Sequence, residues 1–284
     1  MATGSPTIFC RPGFIDLRRL YERLRQVIAL SPTEFDRVYQ ALRNTFDRPS
    51  DSPFLHDFVR KPIALVNPEL LQSPNPEHPG IDLPCWLETS GSDRRIILLG
   101  QDPLRDDRYF PHASQSEPSV VIGTPYSVHS ASLRRQGNNP RYWGIISKLL
   151  AAGYNLYLTD VGKFWARGQR ARAASARTYR MILEEEFALS APSGSPSLIV
   201  TFGKQAAAFL LGADYPATTK IGKETAQIFS RGPIRVLPVL HPSPQNEGIL
   251  KAYLRANEVD PDQGVSGIAE VITKTISRFG GRRP

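Results

Sequence analysis

Cysteine is scarce in these 284 residues, and long apolar runs are absent. The two cysteines, Cys10 and Cys85, cannot complete a four-ligand zinc or iron–sulfur site, and neither belongs to a C-x-x-C pair. Both are expected to be reduced thiols in a cytosolic compartment. The longest apolar stretches, IILLG and LPVL, fall far short of the roughly 20 residues that a membrane span needs. The opening MATGSPTIFCRPG has no basic region followed by an apolar stretch, so neither a membrane segment nor export is expected. Nucleotide loops are missing as well: there is no G-x-G-x-x-G, and IGKET carries Gly-Lys without the spacing or the adjoining Ser/Thr of a Walker loop. His56, His78, His112 and His129 show no metal-ligand spacing, so no metal and no cofactor is expected. Internal repeats are absent, and only APSGSPS is compositionally simple.

What is present is positive charge. Thirty-five Lys+Arg against 27 Asp+Glu give a formal charge of +8, which favours a polyanionic partner. The arginines are concentrated: KFWARGQRARAASARTYR holds Lys163, Arg167, Arg170, Arg172, Arg177 and Arg180 with no acidic residue, interleaved with Phe164, Trp165 and Tyr179. The segment reads either as a phosphate-binding stretch or as a solvated basic helix.

Hydrophobic spacing divides the chain into two regions. Between Phe14 and Phe46, apolar residues recur at helical intervals in IDLRRLYERLRQVIAL and TEFDRVYQALRNTF, with Ser31 positioned to cap the second helix and Pro32 at its first turn. Residues Pro49 to Pro84 are rich in proline and poor in periodic runs, which predicts an irregular surface connection. From Arg94 onward, short apolar runs (RIILLG, YNLYLT, SLIVTFG, IRVLPVLH) alternate with helical stretches (PRYWGIISKLLAAG, ARTYRMILEEEFAL, KQAAAFLLG). That alternation predicts an α/β fold of parallel strands joined by crossover helices. The expected division is an N-terminal helical extension with its linker over residues 1–90, and a catalytic domain over residues 91–284. Ligands of such sheets bind at the carboxyl ends of the strands. Those ends are Gln101-Asp102, Thr159-Asp160, Phe202-Gly203 and His241-Pro242, so Asp102, Asp160 and His241 are expected to converge on one rim.

GQDP after one apolar strand and HPSP after another closely resemble the two active-site motifs of the uracil-DNA glycosylase superfamily. The likeness runs from about Arg94 to Tyr253, and PYSV, YLTDVGK and LIVTFGKQAA match the intervening segments in order. The resemblance implies a three-layer α/β/α domain around a central, mostly parallel four-stranded sheet, preceded here by N-terminal helices. It implies a monomeric, metal-free, monofunctional enzyme that flips a base out of DNA and hydrolyses its N-glycosidic bond, leaving an abasic site. By motif position, Asp102 stabilises the oxocarbenium-like sugar and orients water, while His241 donates a hydrogen bond to the departing base. Gln101 and its turn contact the base, Tyr126 stacks on it, and Ser243 holds a phosphate. The basic residues Lys163, Arg167, Arg170 and Arg172 are expected to contact the DNA backbone. No lysine stands where a Schiff-base nucleophile would be argued, so strand cutting is not expected.

Three departures from the pattern bear on specificity. Uracil-specific members continue GQDP with a tyrosine that fills the space beside C5 of the base; here Leu104 stands there, followed by Arg105. They read uracil with an asparagine at the strand end occupied by Thr159-Asp160, and alignment on the following Val and Lys puts Asp160 at that position. An ionised aspartate only accepts hydrogen bonds, which opposes O4 of uracil and suits the N4 amino group of cytosine. The other reading has Thr159 or backbone groups facing the base. After HPSP, the family's wedging leucine is replaced by Gln245 and Asn246. Taken together these changes point to a cytosine with a bulky 5-substituent, such as the sugar-decorated hydroxymethylcytosine of some phages, and hence to antiphage defence. Excision of uracil or another deaminated base in repair, and a damaged-DNA-binding module without turnover, are the alternatives.

Overall fold

The computed structural model describes residues 7–9, 31–47, 80–89, 92–101, 121–163, 176–190, 197–212, 224–232 and 234–280. Helix α1 (Pro32–Asp47) begins with a capping box. Ser31 Oγ accepts from the Glu34 amide at 3.3 Å, and the Glu34 carboxylate accepts from the Ser31 amide at 2.9 Å. The helix expected before it, over IDLRRLYERLRQVIAL, lies outside the described residues.

The strands are β1 (Thr7–Phe9), β2 (Gly80–Asp82), β3 (Cys85–Glu88), β4 (Arg95–Gly100), β5 (Val121–Gly123), β6 (Asn155–Asp160), β7 (Ser197–Phe202), β8 (Phe229–Arg231) and β9 (Ile234–Val239). Seven of them form one sheet in the order β1-β3-β6-β4-β7-β9-β8, while β2 and β5 pair separately in parallel. The four strands expected from the sequence, β6, β4, β7 and β9, are the parallel centre. Short antiparallel strands extend it on both sides, β3 and β1 at one edge and β8 at the other.

Two expectations about the N-terminal region are corrected here. The connection ending at Pro84 is not irregular throughout: Gly80–Asp82 is a strand, and Ile81 and Leu83 are fully buried. A boundary at residue 90 also cuts one sheet, because β1 and β3 precede it and β4 follows. The strand CWLE leaves no signature in the sequence, because four residues beside a proline carry too little period-2 signal.

The remaining helices are α2 (Asn139–Ala151), α3 (Ala176–Ser190), α4 (Gly203–Leu211), α5 (Glu247–Ala256) and α6 (Gly267–Gly280). Strand alternation sends successive residues to opposite faces, so Ile97 and Leu99 of β4 enter one core while Ile96 and Leu98 enter the other. The first core is closed by α1, α3 and α4 through Phe35, Leu42, Ile182, Phe187 and Leu210. The second is closed by α2, α5 and α6 through Ile145, Leu149, Leu250, Tyr253 and Ile272. Each core is built on a cluster of apolar side chains, giving the three layers expected. Helix α1 is thus part of one layer, and its Tyr39 hydroxyl donates to the Pro84 carbonyl at 2.8 Å.

Candidate functional site

Strands β4 and β6 remain hydrogen-bonded past their last residues. Val161 N donates to the Gly100 carbonyl and Gly162 N to the Gln101 carbonyl, each at 3.0 Å. This zipper fixes Gln101 at the rim of the sheet. Asp102 and Leu104, which follow it, lie outside the described residues, as do Arg167, Arg170 and Arg172.

Asp160 ends β6 directly opposite Gly100 and is buried. Gly100 is required by that neighbour: a Cβ there would lie 2.0 Å from Asp160 Oδ1 and 2.9 Å from the Tyr126 hydroxyl oxygen. Period-2 alternation turns Thr159 the opposite way. Its hydroxyl donates to Glu186 Oε2 at 2.8 Å on the far face of the sheet, so of the two candidates at this strand end only Asp160 looks toward Tyr126.

Thr159 shares Glu186 with Lys163, whose ammonium lies 2.9 Å from the carboxylate. Lys163 is completely buried, and burial raises the Glu186 pKa against the lowering effect of that ammonium. The expected role of Lys163 as a phosphate contact is therefore corrected: its charge is committed inside the protein, where no DNA phosphate reaches it.

Tyr126 sits in a single 3₁₀ turn (Pro125–Ser127) after β5 with φ 58° and ψ 15°, left-handed backbone that a bulky residue rarely adopts. Its ring is buried and stacks on Tyr142 of α2, with centroids 4.6 Å apart and an interplanar angle of 26°. Phe202, the last residue of β7, meets that ring edge-on at 5.8 Å. The Tyr126 hydroxyl finds no hydrogen-bond partner among the described residues. Burial, then the charge of Asp160, hold its pKa well above the ordinary phenol value, so it stays protonated.

His241 arrives two residues after β9, half-buried, and burial pushes its imidazole pKa down. The Tyr142 hydroxyl lies 3.0 Å from its Nε2. Gly203, with φ +79°, lets the histidine approach, since a Cβ at that position would come 3.0 Å from His241 Cβ. Asn246 braces the loop from below: its Nδ2 donates to the His241 carbonyl at 2.8 Å and to Ser243 Oγ at 3.3 Å. An Arg141–Glu247 ion pair at 2.7 Å ties the start of α2 to the start of α5. Gln245 is exposed and Ser243 half-buried.

The rim of the sheet thus gathers Gln101, Asp160, Tyr126 and His241 from four separate segments, with Asp160 and Tyr126 meeting on one face. Tyr142, Phe202, Gly100 and Gly203 belong to the same cluster, and sequence reasoning assigned none of them a role. Tyr142 reads there as one more apolar position of a helical stripe; only its place in the first turn of α2, an end that faces the rim, could have singled it out. Such a set can hold a planar group against aromatic rings, accept hydrogen bonds at Asp160, donate them from Tyr126, and present a neutral imidazole.

Residues 88–257 match the family model described as the Uracil DNA glycosylase superfamily. No curated protein matches the chain.

Proposed function

The chain belongs to the uracil DNA glycosylase superfamily, whose activity is that of DNA glycosylases acting on DNA, and from that premise we propose that it excises a 5-substituted cytosine. In this reading the flipped base lies against the aromatic cluster, with its N4 amino group toward Asp160 and O2 toward His241. Water, oriented by Asp102 and giving up its proton there, bonds to C1′ as the C1′–N bond breaks. The bonding pair leaves with the base, and the charge gathering on O2 is met by the neutral His241 imidazole. An abasic site remains in an uncut strand. Leu104 leaves the C5 side without the tyrosine that would exclude a substituent, which admits the decorated cytosines of phage DNA and makes antiphage defence the biological role.

The observation that carries this reading is Asp160, buried at the rim on the face of Tyr126 rather than that of Thr159. A carboxylate there leaves uracil's O4 facing an acceptor, a mismatch costing on the order of 1–3 kcal/mol. DNA contact is assigned to Ser243, to Arg167, Arg170 and Arg172, and to Gln245, the exposed side chain available to enter the gap behind the base. Asn246 supports that loop from within.

Mass spectrometry of bases released from DNAs containing uracil, cytosine, 5-hydroxymethylcytosine or glucosylated hydroxymethylcytosine is the test. Release of a modified cytosine alone is expected, with Asp102→Asn reducing it by at least about a hundredfold while DNA binding survives. Release of uracil alone would return the protein to base repair, and an absence of any free base would make it a binding module.

A further inference from the structure

The Tyr126 hydroxyl is an expensive group to leave unpaired in an apolar core, and a phenylalanine would fill the same space without it. Tyr126 is only 9% exposed, and its oxygen makes no hydrogen bond among the described residues. The ring cannot swing to find one. Tyr142 occupies one face, Phe202 meets its edge, and the left-handed backbone at residue 126 sets the direction in which the phenol projects. That direction leads to the side of Gly100 where a side chain would stand, and the Asp160 carboxylate also arrives there.

We infer that the Tyr126 hydroxyl and the Asp160 carboxylate act as a pair that reads the edge of a cytosine-type base, the phenol donating to N3 and the carboxylate accepting from the N4 amino group. This rests on the proposed excision of a modified cytosine and deepens it by naming a second specificity residue. A protonated phenol is a donor and an ionised carboxylate an acceptor. Cytosine presents the complementary order, an acceptor at N3 beside a donor at N4. Uracil presents the reverse, N3–H beside O4: its O4 meets an acceptor at the carboxylate, and its N3–H can be taken by the phenol oxygen only if the phenol hydrogen turns away from the base and loses that partner. One substituted residue weakens discrimination; two adjacent ones of opposite polarity reverse it. The inference gives Tyr126 an edge-reading role in place of the face-stacking role that the PYSV segment implies, since one ring face already lies on Tyr142.

The experiment uses the full chain carrying Asp102→Asn, so that bound DNA stays intact. Duplexes differing only in 5-hydroxymethylcytosine or uracil at one site are titrated by fluorescence anisotropy, with and without Tyr126→Phe. Tyr126→Phe retains the ring and its contacts, and thermal unfolding checks that the fold is kept. The preference for the modified cytosine over uracil is expected to fall about tenfold, the worth of one hydrogen bond. Combining Tyr126→Phe with Asp160→Asn is expected to lower it by less than the product of the two single effects. An unchanged preference on Tyr126→Phe overturns the inference, and so does equal binding of the two duplexes by the Asp102→Asn chain. If the preference holds and depends on Tyr126 while the wild-type chain releases no base, the glycosylase reading fails and the reading pair stands.

Discussion

Gly100 sets the room available at the rim. At Gly100 a single methyl group would overlap the Asp160 carboxylate and crowd the Tyr126 hydroxyl, both of which are buried. Gly100→Ala is therefore expected to lower release of the preferred base by at least about tenfold, measured as free base per enzyme, with a loss of stability of about 1–3 kcal/mol from overpacking. An alanine chain with full turnover would mean that Asp160 does not face the substrate. His241 carries a prediction in pH. Its ordinary pKa is about 6.5, and burial lowers it, so the imidazole remains neutral as pH falls to that value. Base release should hold level from about pH 8 down through about 6.5 and decline only below it, whereas a half-maximum at or above that value would show that burial does not lower the histidine's pKa. The same shift makes acid destabilising: the unfolded chain takes up its proton near 6.5 while the folded chain still refuses it, so the contribution of this group to stability falls as pH drops through that value.

At the scale of elements, the end of β6 distributes its polar residues to both faces of the sheet. Asp160 goes to the rim cluster, and Thr159 joins Lys163 and Glu186 in a buried network that fastens the loop after β6 to α3. Removing one charge should leave the other stranded. Lys163→Met is expected to destabilise the protein by about 3–5 kcal/mol in urea unfolding, and the double change Lys163→Met with Glu186→Leu should recover most of that loss. A negligible effect of the single change would contradict the pairing. A sequence reading assigns Lys163 to the arginine-rich run that follows it, because linear proximity gives no sign that its side chain turns inward. By contrast the start of α1 is legible in the sequence at Ser31 and Pro32, since a cap makes its contacts within one turn, here between Ser31 and Glu34.

For the whole molecule, charge and layer order matter most. A formal charge of +8 on an enzyme whose family acts on DNA implies counterion release on binding. If Arg167, Arg170 and Arg172 are among about six phosphate contacts, affinity should fall about a thousandfold between about 50 and 200 mM salt. Replacing the three by alanine should flatten that slope, and a salt-independent affinity in the parent would remove the arginine segment from the interface. The N-terminal part of the chain is bound into the fold by α1, which closes one apolar core with α3 and α4, and by β1 and β3, which lengthen the central sheet.

By itself the sequence determined the α/β class, the four parallel strands, the family, and the strand ends where polar residues gather, because these follow from local periodicity and from motifs only a few residues long. Tertiary structure decided the rest. Which of Thr159 and Asp160 faces the rim depends on the register of β6 against β4. That Tyr142 reaches His241, and that Lys163 is buried, depends on helices packing across a sheet from positions 99 and 23 residues away in the chain. A short strand such as CWLE exists only because neighbours pair with it, β1 on one side and β6 on the other. Long-range contacts of this kind leave no periodic trace in the amino-acid order, since they come from the closure of two cores on one sheet rather than from any segment alone.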